Sequence, residues 1–182
     1  MFKLFLDDSL VGDGSVAKVV LKTMLAPAAG GMTCFVFSWL FSHNALIEVE
    51  KVLNGILGGL VGITAGCAAV EPLGAVAIGM GAGMVFMAAE WLLLKLQIDD
   101  PLNAIPVNGF CGAWGTIALA FLAPVSALPA GTHLGQAWIQ LIGISSVFAW
   151  AFGTGLILFW ALKTTGMLAH VCHSILKNSY NQ

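Results

Sequence analysis

Residues 98–118 of the chain read IDDPLNAIPVNGFCGAWGTIA. After the two aspartates, no charged residue occurs between Pro101 and Ala123. A helix needs about 20 largely apolar residues to cross the hydrocarbon core of a bilayer, which is about 30 Å thick. The stretch therefore predicts a transmembrane helix over residues 101–123.

Outward from this stretch, the chain contains four further apolar runs of similar length. They predict transmembrane helices over residues 19–41, 53–70, 73–94 and 134–162, followed by a short tail over 163–182. The composition agrees, because 59% of the residues are hydrophobic and only 9% are charged, whereas soluble domains carry about 25% charged residues. We predict an all-α, polytopic helical membrane protein with five transmembrane helices, embedded in a lipid bilayer.

The lysines predict the orientation of these helices, because cytoplasmic connections carry an excess of positive charge. If the carboxyl terminus is cytoplasmic, four lysines lie on the cytoplasmic side and two oppose them: Lys51, Lys95, Lys163 and Lys177 against Lys18 and Lys22. The count favours an integral protein of the plasma (inner) membrane with a cytoplasmic carboxyl terminus.

Several functional classes lack the residues that they would need. The seven basic residues are all lysine and the net charge is −2, which gives no cationic surface for nucleic acid. The four cysteines lie tens of residues apart without a metal-binding or redox spacing, so we expect no metal site. No nucleophile elbow, Walker A loop, dinucleotide fingerprint or HExxH motif occurs, and the acidic residues look too scattered for a carboxylate pair. We expect neither enzymatic activity nor a cofactor.

Glycines at helical spacing predict close helix packing, because small residues four apart let two helix backbones approach each other. The second predicted helix carries two such pairs, the third carries one, and in the fourth a glycine recurs every three residues: Gly55, Gly58, Gly59 and Gly62; Gly79 and Gly83; Gly109, Gly112 and Gly115. We interpret these glycines as packing residues.

The predicted fourth helix begins with two aspartates and a proline. Asp100 suits the N-cap and Pro101 suits the first helical position, while Asp99 complements the positive end of the helix dipole. We interpret the three residues as a structural helix start.

Asn108 lies seven residues beyond Pro101, which places it about 10 Å into the membrane. Its amide can donate and accept hydrogen bonds, but it cannot exchange a proton near neutral pH. Two interpretations stay open, an interhelical hydrogen bond and a group that lines a pore. Ala104 and Cys111, one turn away on either side, are expected to share its face, and packing is the preferred role for Cys111.

Three other side chains in the predicted spans carry simpler expectations. Glu90 lies near the end of the third helix, from which its carboxylate can reach the membrane interface. Trp114 and Trp150 lie near the middle of their spans. We expect both indole rings to pack inside the protein.

Two stretches, NGILGGLVGITAGC at residues 54–67 and the segment at residues 98–118, resemble the ammonium transporter family, which includes the Mep and Rh proteins. The segments LKTMLAPAAGGMT at 21–33 and QLIGISSVFAWAFGTGL at 140–156 look like that family as well. The family has eleven transmembrane helices, arranged as two inverted five-helix repeats and one more, and it forms trimers with a pore through each protomer. The resemblance covers only the seventh to the eleventh helix.

The resemblance also gives Asn108 a meaning. The family motif V-H-G-x-x-G here reads VNGFCG over residues 107–112, so Asn108 stands where the family has the second of two pore histidines. Ala104 falls one turn earlier on the pore side, and the Asp99-Asp100-Pro101 start is intact. The first pore histidine, the external cation site and the phenylalanine gate belong to the part of the family that this chain does not resemble.

These observations predict a partial ammonium transporter domain over residues 1–182, which transports ammonium or ammonia as the carboxyl-terminal half of a pore-forming domain. The alternatives are an ammonium-sensing membrane domain with weakened transport and an inactive truncated fragment. We expect association as a homotrimer or with the missing amino-terminal half, since the half-pore would otherwise expose Asn108 and glycine-rich faces to lipid.

Overall fold

The computed structural model describes residues 15–41 and 49–165, so most of the predicted tail, including Lys177, lies outside the described residues. Within them all regular structure is helical: α1 Ser15–Phe41, α2 Val49–Ile63, α3 Pro72–Lys95, α4 Cys111–Leu122 and α5 His133–Thr164. A π-helical segment, Ile105–Phe110, leads into α4, and a 3-10 turn, Val125–Ala127, follows it. The predicted all-α fold with five helices is confirmed.

Among the described residues, four helical stretches are long and apolar enough to cross a membrane: Val16–Leu40, Pro72–Lys95, Ile105–Leu122 and His133–Thr164. The second predicted span, residues 53–70, needs correction. Helix α2 has 15 residues, which rise about 22 Å and fall short of the hydrocarbon thickness of about 30 Å. Residues 64–70 form turns instead of continuing the helix.

Two sets of contacts explain the bounds of α2. At its start, Lys51 Nζ lies 3.7 Å from Glu90 Oε2 of α3, so the ion pair accommodates charge in the first turn. At its end, the amides of Thr64 and Gly66 bond to carbonyls three residues earlier. Such tightened bonds are typical of a helix terminus.

The predicted helix over residues 101–123 also begins later than expected. Pro101 lies in a turn, and Asn103 has a φ of +51°, a left-handed conformation that cannot continue a helix. The regular structure starts with Ile105, and Pro106 lies in its first turn. Pro101 therefore does not occupy the first helical position.

Helices α1, α2 and α3 pack with their backbones in near contact at glycines. A Cβ atom added to Gly59 would lie 2.5 Å from the Ala26 carbonyl oxygen of α1, and one added to Gly55 would lie 2.5 Å from Cys34 Sγ. Real Cβ atoms do not approach other atoms so closely. Only glycine at positions 55 and 59 permits this arrangement of α1 and α2.

Helix α4 packs on α2 in the same way. A Cβ atom added to Gly115 would clash with the Gly62 carbonyl oxygen, and one added to Gly58 would lie 3.0 Å from Cys111 Sγ. Gly112 and Gly109 are different. Their nearest contacts lie at 3.6 Å and 4.0 Å, so close packing is not seen at either position within the described residues.

The chain divides into two compact units, of which the first ends at Gln140 and the second begins at Leu141. The buried core of the first unit is made of small and branched side chains, with Phe86, Ile63 and Ile78 among the largest that are fully buried. In the second unit none of residues 141–165 is buried. Trp150 is 75% exposed, so the prediction that it packs inside the protein was wrong for the described chain.

Candidate functional site

The π-helical segment Ile105–Phe110 positions the residues that the sequence singled out. Its hydrogen bonds span five residues, as in the bond from the Cys111 amide to the Pro106 carbonyl. Pro106 and Val107 are buried against the bundle, whereas Asn108 and Gly109 are exposed. Single π turns inside α-helices occur frequently at functional sites.

Asn108 lies on an open face of the first unit. Its Nδ2 atom donates a hydrogen bond to the Ala104 carbonyl oxygen at 3.1 Å, and Ala104 is exposed as well. Among the described residues no hydrogen bond reaches Asn108 Oδ1. The amide therefore presents an acceptor oxygen and a second N–H donor on this face.

Cys111 does not share that face, contrary to the prediction from helical spacing. It is fully buried, and its Sγ atom donates to the Ala82 carbonyl oxygen of α3 at 3.3 Å. The physical reason is the extra residue in the π turn, which rotates every later side chain relative to an ideal α-helix. Cys111 thus packs, as its preferred interpretation held.

Asp100 stabilises the start of the π-helical segment. Its Oδ2 atom accepts a hydrogen bond from the Ile105 amide at 2.7 Å, which satisfies one of the donors that a helix start leaves without a partner. Asn103 Nδ2, in the same connection, donates to Glu50 Oε1 of α2 at 3.3 Å. The first bond joins the connection to the π-helical segment, and the second holds the connection against the beginning of α2.

Four carboxylates meet around one cavity of about 190 Å³ beside this connection. Residues of α2, α3 and the connection line it: Glu50, Glu90, Leu93, Leu94, Ile98, Asp99, Asp100, Pro101 and Asn103. No local pattern in the sequence indicates this cluster, because its members lie up to 50 residues apart and only the helix pairing brings them together. The four carboxylates are therefore closer in the fold than their positions along the chain indicate.

Glu90 reaches an ion pair with Lys51 at 3.7 Å, with the two side chains only 16% and 24% exposed. The sequence predicted only that this carboxylate can reach the membrane interface. Because the pair is partly withdrawn from water, it is screened less than a surface pair. It connects α2 to α3 at the edge of the acidic cavity.

Trp114 packs inside the protein, as predicted. Its Nε1–H group donates to the Ile78 carbonyl oxygen of α3 at 3.0 Å, and its ring lies against Gly81, where any Cβ atom would clash with it. The indole ring therefore holds α4 against the first half of α3. Within the described ranges, no three His, Cys, Asp or Glu side chains converge as metal ligands.

The sequence model of the Ammonium Transporter Family matches residues 9–171. The chain is 42% identical over 160 residues to ammonium transporter Amt2 from Archaeoglobus fulgidus, an alignment that covers 81% of this chain and 34% of the relative. It is 39% identical over 150 residues to a putative ammonium transporter from Synechocystis sp., with 82% and 32% covered. The chain thus spans about a third of the length of these relatives.

Solved structures agree with the sequence matches. A structure titled "Sensor Amt Protein" superposes with a TM-score of 0.78 at 37% identity, covering 82% of this chain and 37% of that one. The crystal structure of Saccharomyces cerevisiae Mep2 superposes with a TM-score of 0.76 at 26% identity, covering 85% of this chain and 38% of that one.

Proposed function

The chain belongs to the ammonium transporter family, and from this premise we propose that it forms one wall of a transmembrane conduit for ammonium or ammonia. The proposal depends on one observation above all, the open face that carries Asn108 and Ala104 on the π-helical segment. The remaining wall comes from the part of the family fold that this chain does not cover.

The cost of exposing polar groups to lipid supports this assignment. A primary amide in the hydrocarbon region is unfavourable unless protein or water surrounds it. Asn108 keeps its Oδ1 atom and one N–H group on the open face of the first unit. A second protein surface with a narrow polar passage between the two walls meets that requirement.

The chemistry of Asn108 fits ammonia better than the ammonium ion. Ammonia is neutral, donates and accepts hydrogen bonds, and matches the donor and acceptor atoms of an amide. Bringing an ammonium ion into a low dielectric costs many kcal/mol unless it loses its proton or is compensated by charge. Asn108 offers no proton path of its own, so a proton must leave through groups outside this chain's Asn108 face.

The acidic cavity supports a cation partner at one end of this wall. Four carboxylates line about 190 Å³, of which only Glu90 forms a salt bridge with a lysine in the described chain, and clefts with an excess of negative charge raise the local concentration of cations. The cavity contains Asp100, which also holds the amide of Ile105, three residues before Asn108. The cavity and the open face therefore belong to one continuous segment.

The assembly that we propose is a homotrimer in which each protomer also contains the remaining helices of the family fold. The whole of residues 1–182 acts as the carboxyl-terminal part of that domain. The orientation has the carboxyl terminus in the cytoplasm of a plasma (inner) membrane. Lys51, Lys95 and Lys163 favour it, and Lys22, counted against it from the sequence, is buried inside α1 instead of lying in a connection.

The requirement for a second wall is tested by reconstitution. Liposomes that contain this chain alone should show no ammonium or methylammonium uptake above that of empty liposomes. Liposomes that also contain the first six helices of a relative, fused or as a second polypeptide, should take up ammonium. Uptake by the chain alone would contradict the proposal, and an equal number of copies of this chain per assembly in both preparations would exclude a simple assembly defect.

A second candidate function is ammonium sensing with weakened transport. It is favoured by the uncharged amide at position 108 and by the similarity to a protein titled as a sensor. In a sensor, ammonium should bind to the completed assembly without producing flux. An inactive fragment should show neither binding nor flux when the remaining helices are supplied.

A further inference from the structure

Lys22 of α1 has a buried, positively charged side chain. Its side chain is only 6% exposed, and its Nζ atom donates hydrogen bonds to the Val70 carbonyl oxygen at 3.0 Å and to the Ala68 carbonyl oxygen at 3.4 Å. Both acceptors are backbone atoms, almost 50 residues away along the chain. A lysine is almost never buried unless its charge is compensated.

The two carbonyls lie in the turns that follow the short helix α2. Residues 64–70 leave the helix after Ile63, and none of the backbone hydrogen bonds described for these turns ends on the carbonyl of residue 68 or 70. A buried carbonyl without a donor destabilises the fold. The ammonium group of Lys22 supplies a donor to the buried Val70 carbonyl, and its bond to the Ala68 carbonyl is partly buried.

The depth of the turns makes this compensation necessary. Helix α2 starts with the charged residues Glu50 and Lys51 and rises only about 22 Å, so the turns that follow it lie within the membrane thickness of about 30 Å. Lys22 lies six residues inside the apolar span that begins at Val16, which is about 9 Å deep by helical rise. By these two estimates from helical rise, the Lys22 ammonium group and the two carbonyls lie at a similar depth in the membrane.

Unwound backbone at membrane depth is where transporters hold small cations, since the carbonyls released from helical bonding replace the hydration shell of the ion. The negative end of the α2 dipole adds to this attraction. We propose that residues 68–70 form a carbonyl site for a primary ammonium group, and that Lys22 is its permanent, tethered occupant. The site thereby holds α1 to the broken end of α2 without a free ion.

The proposal predicts that the site accepts a free primary ammonium ion when the tether is removed. Lys22→Ala should lower the apparent melting temperature in detergent by about 5–15 °C, because the buried bond to the Val70 carbonyl and the partly buried bond to the Ala68 carbonyl lose their donor. Addition of millimolar n-butylammonium should restore at least half of the loss, whereas tetramethylammonium, which carries no N–H group, should not. Lys18→Ala is the matched control, since Lys18 is exposed on the same helix, and it should change the melting temperature little.

Cys67 gives a local readout of the same site. It lies in the turns beside the carbonyls and is only 8% exposed, so maleimide labelling of Cys67, located by mass spectrometry, should be slow in the wild type. Lys22→Ala should raise the labelling rate at least about tenfold if the turns open, and n-butylammonium should reverse the increase. Cys34, buried deeper in the bundle, serves as the internal reference.

If Lys22→Ala does not fold, Lys22→Arg and Lys22→Met decide the question. The Lys22→Arg protein keeps a cationic donor and should fold. The Lys22→Met protein fills the same space without a donor and should not fold. Wild-type stability of Lys22→Met or Lys22→Ala would overturn the proposal. Equal loss in the arginine and methionine variants would also overturn it, as would failure of n-butylammonium to restore a folded but destabilised Lys22→Ala protein.

Discussion

The side-chain amide of Asn108 donates to the carbonyl oxygen of Ala104 at 3.1 Å, and both residues lie on the exposed face of the π-helical segment. The bond occupies one of the two amide N–H groups and fixes the rotamer. The other N–H group and the carbonyl oxygen stay available to a partner on that face. In the conduit that we propose, these two groups can exchange hydrogen bonds with ammonia.

Asn108→His should raise ammonium flux in the completed assembly. An imidazole can carry a proton near neutral pH and an amide cannot, so we expect an increase of at least about tenfold if proton transfer limits transport. The measurement is labelled-methylammonium uptake into liposomes between pH 5.5 and 8. An unchanged rate, with Asn108→Gln as the matched uncharged variant, would exclude proton transfer at this position as the limiting step.

Gly115→Val should separate α4 from α2. Any Cβ atom at this position meets the Gly62 carbonyl oxygen, which is backbone and cannot move aside, so we expect a destabilisation of about 2–3 kcal/mol. Thermal unfolding in detergent measures it as a lower melting temperature. Gly153→Val is the control, because no atom lies within 4 Å of its added Cβ. Equal effects of the two substitutions would contradict the packing role.

Glu90→Gln should destabilise the junction of α2 and α3 by about 1–2 kcal/mol, because it removes the negative charge that faces the partly buried Lys51 ammonium. The double variant Lys51→Met with Glu90→Gln should recover part of that loss. A double-mutant cycle on the melting temperature gives the coupling energy. Additive effects of the two single changes would show that the 3.7 Å pair contributes nothing.

Asp100→Ala should open the start of the π-helical segment. It removes the acceptor of the Ile105 amide at 2.7 Å, and the loss of a capping side chain costs about 1 kcal/mol. Hydrogen exchange at Ile105 should accelerate about fivefold at that cost. Asp99→Ala serves as the control, because Asp99 is exposed next to Asp100, and exchange at Ile105 should be the same as in the wild type. Equal acceleration in both variants would contradict the capping role of Asp100.

The sequence predicted the helices well because apolar length is a local property. It misjudged α2 and the helix after Asp100, where tertiary contacts set the bounds. Lys22 of α1 donates hydrogen bonds to the turns after Ile63, and the left-handed Asn103 delays the next helix by several residues. Neither effect can be predicted from a local sequence pattern.

The candidate site was predictable only in part. Asn108 and Ala104 could be found from a motif, since a polar residue in an apolar run is conspicuous. Cys111 was placed on the wrong face because a π turn changes the phase of every later residue. The acidic cavity escaped detection because Glu50 and Asp100 meet only after α2 and α3 have paired.

The central claim, that the face of Asn108 lines the conduit, is tested most directly by blocking that face. Asn108→Trp in the completed assembly should reduce ammonium flux into liposomes at least about tenfold, since the indole occupies far more volume than the amide. Val147→Trp, at an exposed apolar position of α5, should leave the flux unchanged. Normal flux through the Asn108→Trp protein, at the same oligomeric mass and protein density, would contradict the account.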